Sequence, residues 1–223
     1  MTKKYFNWEK EWEGEIDPGH RKSTAEHYRE YAYELKLMFG DGINSILEIG
    51  CGNGALFPYL DFENKNYLGV DFSTSMLNNF TDKYPKIKLV NHEGSSYLDG
   101  DSYDLIFSNG VIQYFDEVML EKHVNNVSKM MHENSLFVCA SIPWKALRLN
   151  YLSGEMNLDS KKTYVRGIYR KILFSLKGDP IGNWFEPKNL QKLASKYNMS
   201  MRLYGSMLYP YRFHAVLRKN RKQ

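Results

Sequence analysis

The stretch Ile46-Leu47-Glu48-Ile49-Gly50-Cys51-Gly52-Asn53-Gly54 constrains this chain more than any other. An apolar run carrying one acid meets three glycines at alternate positions, and Ala55-Leu56-Phe57-Pro58-Tyr59-Leu60 follows with a helix-like pattern. A buried strand must therefore stop, turn sharply and run towards a helix. Glycine lacks Cβ, so the turn can take positive φ and a ligand can lie against bare backbone. At the carboxyl end of a parallel strand, such a turn is a cradle for a nucleotide-like cofactor.

The flanking sequence predicts the sheet that this strand belongs to. Strands are expected at Ser45–Gly50, Tyr67–Asp71, Ile87–Asn91, Tyr103–Asn109 and Ser135–Ile142. Helical patterns fall between them at Ala55–Leu60, Ser75–Tyr84 and Glu117–Met131. Strands alternating with helices at this spacing imply a mostly parallel sheet with helices on both faces. After a helix at Pro187–Tyr197, the runs Ser200–Gly205 and Tyr211–Arg218 are joined by too few residues for a parallel crossover. They should form an antiparallel hairpin closing one edge, for seven strands in all.

Two segments lie outside this alternation. Residues 1–44 combine an aromatic arm (Tyr5, Phe6, Trp8, Trp12) with a helix that Ser23 or Thr24 can cap. Residues 143–186 form a cap-like, helical insertion between the fifth strand and the last helix. It holds eight basic and four acidic residues, an excess equal to the net +4 of the whole chain. The basic stripe within 161–177 suits a solvated face, an anionic acceptor or peripheral contact with a membrane. A length of 223 residues fits a single domain spanning 1–223.

The mild charge calls for no nucleic-acid partner, and the two cysteines, in or beside apolar runs, read as reduced residues of a cytoplasmic protein. No apolar segment reaches the ~18 residues of a membrane span. The histidines lack metal-ligand spacing, so no metal is expected.

The glycine turn alone leaves the cofactor open. Gly50-x-Gly52-x-x-Ala55, with Asp71 further on, satisfies a dinucleotide fingerprint. Glu48-x-Gly50-x-Gly52-x-Gly54 satisfies another pattern, and here the chain resembles the class I S-adenosylmethionine-dependent methyltransferases. Asp71-Phe72-Ser73-Thr74-Ser75-Met76 is similar to that family's second-strand acid and following helix start. Tyr103–Phe115, with Asn109-Gly110-Val111 inside it, is similar to its fourth-strand block. The closing hairpin matches the family's sheet as well. The resemblance covers roughly residues 24–142 and 184–218, and its first motif and fourth-strand block are specific only together.

The resemblance implies S-adenosyl-L-methionine as cofactor. It implies that Glu48, Gly50, Cys51, Gly52 and Gly54 frame its amino-acid end, with Asn109, Gly110 and Val111 beside it. Asp71 would accept from the ribose hydroxyls, and Phe72 and Met76 would flank adenine. Where the family often carries an acid after the third strand, this chain reads Asn91-His92-Glu93-Gly94-Ser95-Ser96. The acid is displaced or missing, and Ser95, Ser96 or backbone serve instead.

The implied reaction is methyl transfer to oxygen or nitrogen of a small molecule, such as a saccharide or another biosynthetic intermediate, anionic or sugar-linked. RNA or protein methylation and a non-catalytic cofactor-binding scaffold are the alternatives. Against nucleic acid, Ser108-Asn109-Gly110-Val111 stands where an Asn/Asp-Pro-Pro-Tyr/Phe block would. Positioning can supply most of the catalysis, and a protonated nucleophile also needs a base. Tyr114, after the fourth strand, and His20, in the loop before the first helix, are the candidate catalytic residues. A core tyrosine and a solvated histidine are the ordinary roles of the same positions. Trp144, Tyr151, Trp184 and Phe185 fit a packed mini-core or a lid over the acceptor.

Overall fold

A computed structural model describes residues 24–153, 156, 179 and 181–220. Thr24 caps the first helix, α1 (Ala25–Lys36): its hydroxyl accepts from His27 N–H at 3.2 Å. The chain then forms β1 (Ser45–Ile49), β2 (Asn66–Asp71), α2 (Thr74–Lys83), β3 (Lys88–Asn91) and β4 (Tyr103–Asn109). α3 (Glu117–Lys129) and β5 (Met131–Pro143) follow, then the short α4 (Arg148–Ser153), α5 (Pro187–Lys196), β6 (Met199–Gly205) and β7 (Arg212–Lys219).

The seven strands lie in the order β3-β2-β1-β4-β5-β7-β6. β7 alone runs against its neighbours, inserted between β5 and β6. The chain has the expected mixed sheet and its closing hairpin.

Strand alternation sends side chains to two cores. On one face Leu47, Ile49, Val70 and Ile106 pack with Leu120 and Val124 of α3 and Leu190 of α5. On the other Ile46, Tyr67, Leu105 and Phe107 pack with Leu35 of α1 and Phe80 of α2. Helices cover both faces, as a mostly parallel sheet requires.

Two expectations are corrected. The helix over Ala55–Leu60 is a single 3-10 turn, Phe57–Tyr59, with Pro58 near its start. Only six residues separate that turn from β2, and Phe57 is already buried against Tyr67 and Phe80, so there is little chain left to extend it. β5 starts at Met131, four residues earlier than expected, because Met131 pairs with Tyr103 before a register shift. The apolar stripe 164–176, its basic neighbours and the aromatic arm lie outside the described residues.

Candidate active site at the carboxyl edge of the sheet

The strand order reverses between β1 and β4, and the carboxyl ends of parallel strands at such a point open a crevice. A cleft of about 520 Å³ lies there.

Its first half is built by the glycine turn. Gly50 N–H and Cys51 N–H both donate to Val70 O, at 2.7 and 3.1 Å, which folds the chain back over β2. Gly50 has φ +81° and a Cβ there would stand 2.2 Å from Val111 Cγ2, so no side chain fits. Gly52, at φ +54°, has open space where its Cβ would be, and it lines the cleft. The turn therefore presents bare backbone to a ligand.

Asp71 ends β2 beside it and is 9% exposed. Its Oδ2 accepts from Gly52 N–H and its Oδ1 from Ser73 N–H, both at 2.9 Å. Burial raises its carboxyl above the ordinary value, against the pull of the Ser73, Gly52 and Phe72 amides. Asp71 lines the cleft, and a carboxylate oxygen can accept more than one hydrogen bond. Phe72, 43% exposed, and Met76 flank this half.

Glu93 lines the same side. Ser95 N–H donates to its Oε1 at 2.7 Å, and Ser95 Oγ and Ser96 N–H donate to its Oε2 at 2.6 and 3.0 Å. Partial desolvation acts to raise this carboxyl, but the serine and amide donors outweigh it and hold it below the ordinary value. The acid after the third strand is thus present, two positions beyond β3. Ser95 and Ser96 orient it and do not line the cleft themselves.

The second half is assembled from distant segments. Tyr31 of α1 donates to Asn109 Oδ1 at 2.7 Å, joining α1 to the end of β4. Gln113, Ser141, Tyr209, Tyr211 and Arg212 complete this wall, with Tyr114 and Phe115 at its edge. The β5–β7 register slips between Cys139 and Ile142, and Ser141 sits there at φ +59°. A non-glycine residue in that region costs about 1–3 kcal/mol and marks a bulge held for a purpose.

Behind the wall, Ser141 N–H donates to His214 Nδ1 at 3.1 Å, so the ring proton is on Nε2 and donates to Glu34 Oε1 at 2.8 Å. Glu34 also accepts from the amides of Met207 and Leu208 at 2.7 and 3.3 Å. α1 thus clasps the β6–β7 loop that carries Tyr209 and Tyr211.

Of the residues expected at the site, Gly50, Gly52, Asp71, Phe72, Met76, Asn109, Gly110, Val111 and Tyr114 line the cleft together. Glu48, Cys51 and Gly54 do not. Glu48 alternates with Leu47 and Ile49 and so points to the α1–α2 face, where Tyr67 OH donates to its Oε2 at 2.6 Å. Burial pushes its carboxyl up to about 8. Cys51 is buried, and Gly54 faces the Phe80 ring. His20 lies outside the described residues. Among the described residues no cluster of acids, histidines and cysteines can hold a metal ion.

Sequence reasoning missed Tyr31, Gln113, Ser141, Tyr209, Tyr211 and Arg212. Two faint signals existed: a serine inside the apolar run Cys139-Ala140-Ser141-Ile142, and an arginine opening the apolar run from Phe213.

The fold is that of the class I, S-adenosylmethionine-dependent methyltransferases. A family model described as a methyltransferase domain matches residues 47–137. The chain is 28% identical over 127 residues to a protein of Papaver bracteatum named as a probable (S)-tetrahydroprotoberberine N-methyltransferase. That match covers 52% of this chain and 35% of the relative, so the chain spans about a third of that protein's length. Among solved structures, an S-adenosylmethionine-dependent methyltransferase from Clostridium acetobutylicum ATCC 824 superposes with a TM-score of 0.64 at 14% identity, over 92% of this chain and 95% of the other. Magnesium protoporphyrin IX methyltransferase from Synechocystis PCC 6803, solved with bound SAH, gives 0.63 at 13% identity over 96% and 92%.

The residues present fit such a cofactor. A bare-backbone turn suits an amino-acid moiety, a buried carboxylate suits a diol, and an apolar flank suits a purine.

Proposed function

We propose that the chain is a single methyltransferase domain. It transfers a methyl group from S-adenosyl-L-methionine to an oxygen or nitrogen of a small molecule, a saccharide or another biosynthetic intermediate, in the cytoplasm. One observation carries this reading: Asp71 lines the cleft at the end of β2, its carboxylate fixed by the Gly52 and Ser73 amides beside the open Gly52 turn. An acid so placed accepts from a ribose diol through charge-assisted bonds.

The cofactor supplies an activated methyl group on a sulfonium. The chain's own work is to seat it and aim the acceptor. Gly50 and Gly52 give backbone to its amino-acid end, beside Asn109, Gly110 and Val111. Phe72 and Met76 give an apolar wall to adenine, and Ser95 and Ser96 contribute through the Glu93 carboxylate. Tyr114 stands on the acceptor side, where it orients the nucleophile. The reaction needs little beyond proximity, because the leaving thioether is neutral.

Calorimetric titration tests this. S-adenosylhomocysteine should bind saturably and NADH should give no heat. Saturable NADH binding with no response to S-adenosylhomocysteine would overturn the reading.

A further inference from the structure

The tyrosine-walled half of the cleft holds a cation with no counterion among the described residues. Arg212, at the start of β7, is 9% exposed. Its Nη1 donates to Gln113 Oε1 at 2.7 Å, to Ser141 O at 2.5 Å and to Ser141 Oγ at 3.3 Å. All three partners are neutral. No carboxylate forms an ion pair with it among the described residues. Glu34, the nearby acid on α1, is engaged by His214 and two loop amides.

A guanidinium carries five N–H donors in a rigid fork. The bonds above use Nη1 alone, so Nη2 and Nε have no acceptor among the described residues. Burying a charge without a partner costs several kcal/mol unless something offsets it. The protein nonetheless builds this position with care. The β5 bulge sets Ser141 at positive φ against Nη1, and Gln113 holds the other side. The Tyr211 ring lies 5.2 Å from the guanidinium carbon and shields it.

We infer that the acceptor carries a carboxylate, which docks on the free edge of Arg212; this rests on the methyl-transfer reading above. Carboxylate and guanidinium match as planar, bidentate partners. Arg212 is the one lysine or arginine among the described residues lining the cleft. A single positive charge balances a monoanion and leaves a phosphate dianion under-neutralised. Tyr31, Tyr209 and Tyr211 around it offer flat apolar faces, which suit an acceptor with a planar or aromatic body.

The test uses the full chain loaded with S-adenosylhomocysteine, with benzoate, benzamide and phenyl phosphate as probes in calorimetry. Benzoate should bind at least about tenfold tighter than benzamide and no weaker than phenyl phosphate. Arg212→Gln should weaken benzoate about tenfold or more and leave S-adenosylhomocysteine within about threefold. Arg212→Lys keeps the charge but loses the fork, and should weaken benzoate about fivefold. Equal binding of benzoate and benzamide, or a preference for phenyl phosphate, overturns the inference in the unmodified protein, whatever the variants do. Loss of S-adenosylhomocysteine in Arg212→Gln would assign the guanidinium to the cofactor's own carboxylate instead. Failure of the unmodified chain to bind S-adenosylhomocysteine would strike the proposed function rather than this inference.

Discussion

The two halves of the cleft are made in opposite ways. The glycine-turn half comes from short contiguous motifs: Gly50–Gly52, Asp71–Met76 and Asn109–Val111 each sit at the end of one strand. The tyrosine–arginine half draws on α1, the turn after β4, the β5 bulge and the β6–β7 loop, with Glu34 and His214 in contact across 180 residues of chain. The first half is bonded mainly through backbone, the second through side chains. A backbone cradle persists when neighbouring side chains change, whereas a side-chain wall can be rebuilt for each acceptor. One fold can thus keep a cofactor and vary its substrate.

Breaking the clasp behind the second half should have the largest effect. Glu34→Ala leaves the buried His214 Nε2–H unpaired and frees two part-buried loop amides. A loss of about 3 kcal/mol in unfolding free energy is expected, read by urea denaturation. Cofactor affinity should change far less, because Glu34 does not line the cleft.

Gly50→Ala strikes the first half. The added methyl meets Val111 at 2.2 Å and the backbone is in the left-handed region. A stability loss of about 2 kcal/mol with loss of cofactor binding is expected, from thermal unfolding with and without S-adenosylhomocysteine. Asp71→Ala separates the two quantities: affinity should fall by about 1.5–3 kcal/mol while the chain stays folded.

Two buried groups outside the cleft give opposite pH dependences. Glu48 is pushed up to about 8 from 4.5, so the folded chain holds a proton that the unfolded chain releases. Its contribution is full below about 4.5 and is lost as pH rises towards 8. Glu48→Gln should flatten the stability decline between about pH 5 and 8, measured by urea midpoints. His123, 1% exposed, donates to Gly94 O at 3.0 Å and has no partner at Nε2. Burial pushes it down to about 4 from 6.5, so its contribution is full above about 6.5 and is lost as pH falls towards 4. Removing one group should leave the other's slope exposed.

The smallest effect belongs to the bond that ties the halves together. Tyr31→Phe removes the donor to Asn109 and should cost about 1 kcal/mol, with the cofactor site retained.

The same contrast decides what the sequence discloses. Glycine spacing, a strand-end acid and a closing hairpin are local patterns, so the fold and the glycine-turn half of the cleft were legible. Glu48 shows the limit even there. Period-2 alternation sends it away from the cleft, and its neighbours Leu47 and Ile49 already indicated the opposite face. Ala55–Leu60 reads as a helix by composition, but a six-residue link to β2 and a buried Phe57 stop it at one turn. The arginine half was not legible, since nothing near Arg212 in sequence announces Gln113 or Ser141. Those contacts exist only because β7 inserts beside β5 and the bulge turns Ser141 inward.

Calorimetric titration of S-adenosylhomocysteine into the unmodified chain and into Asp71→Ala tests the central claim most directly. The account predicts saturable binding to the former, weakened about 10- to 100-fold in the latter, with both equally folded by circular dichroism. Equal affinity in the two proteins would contradict it.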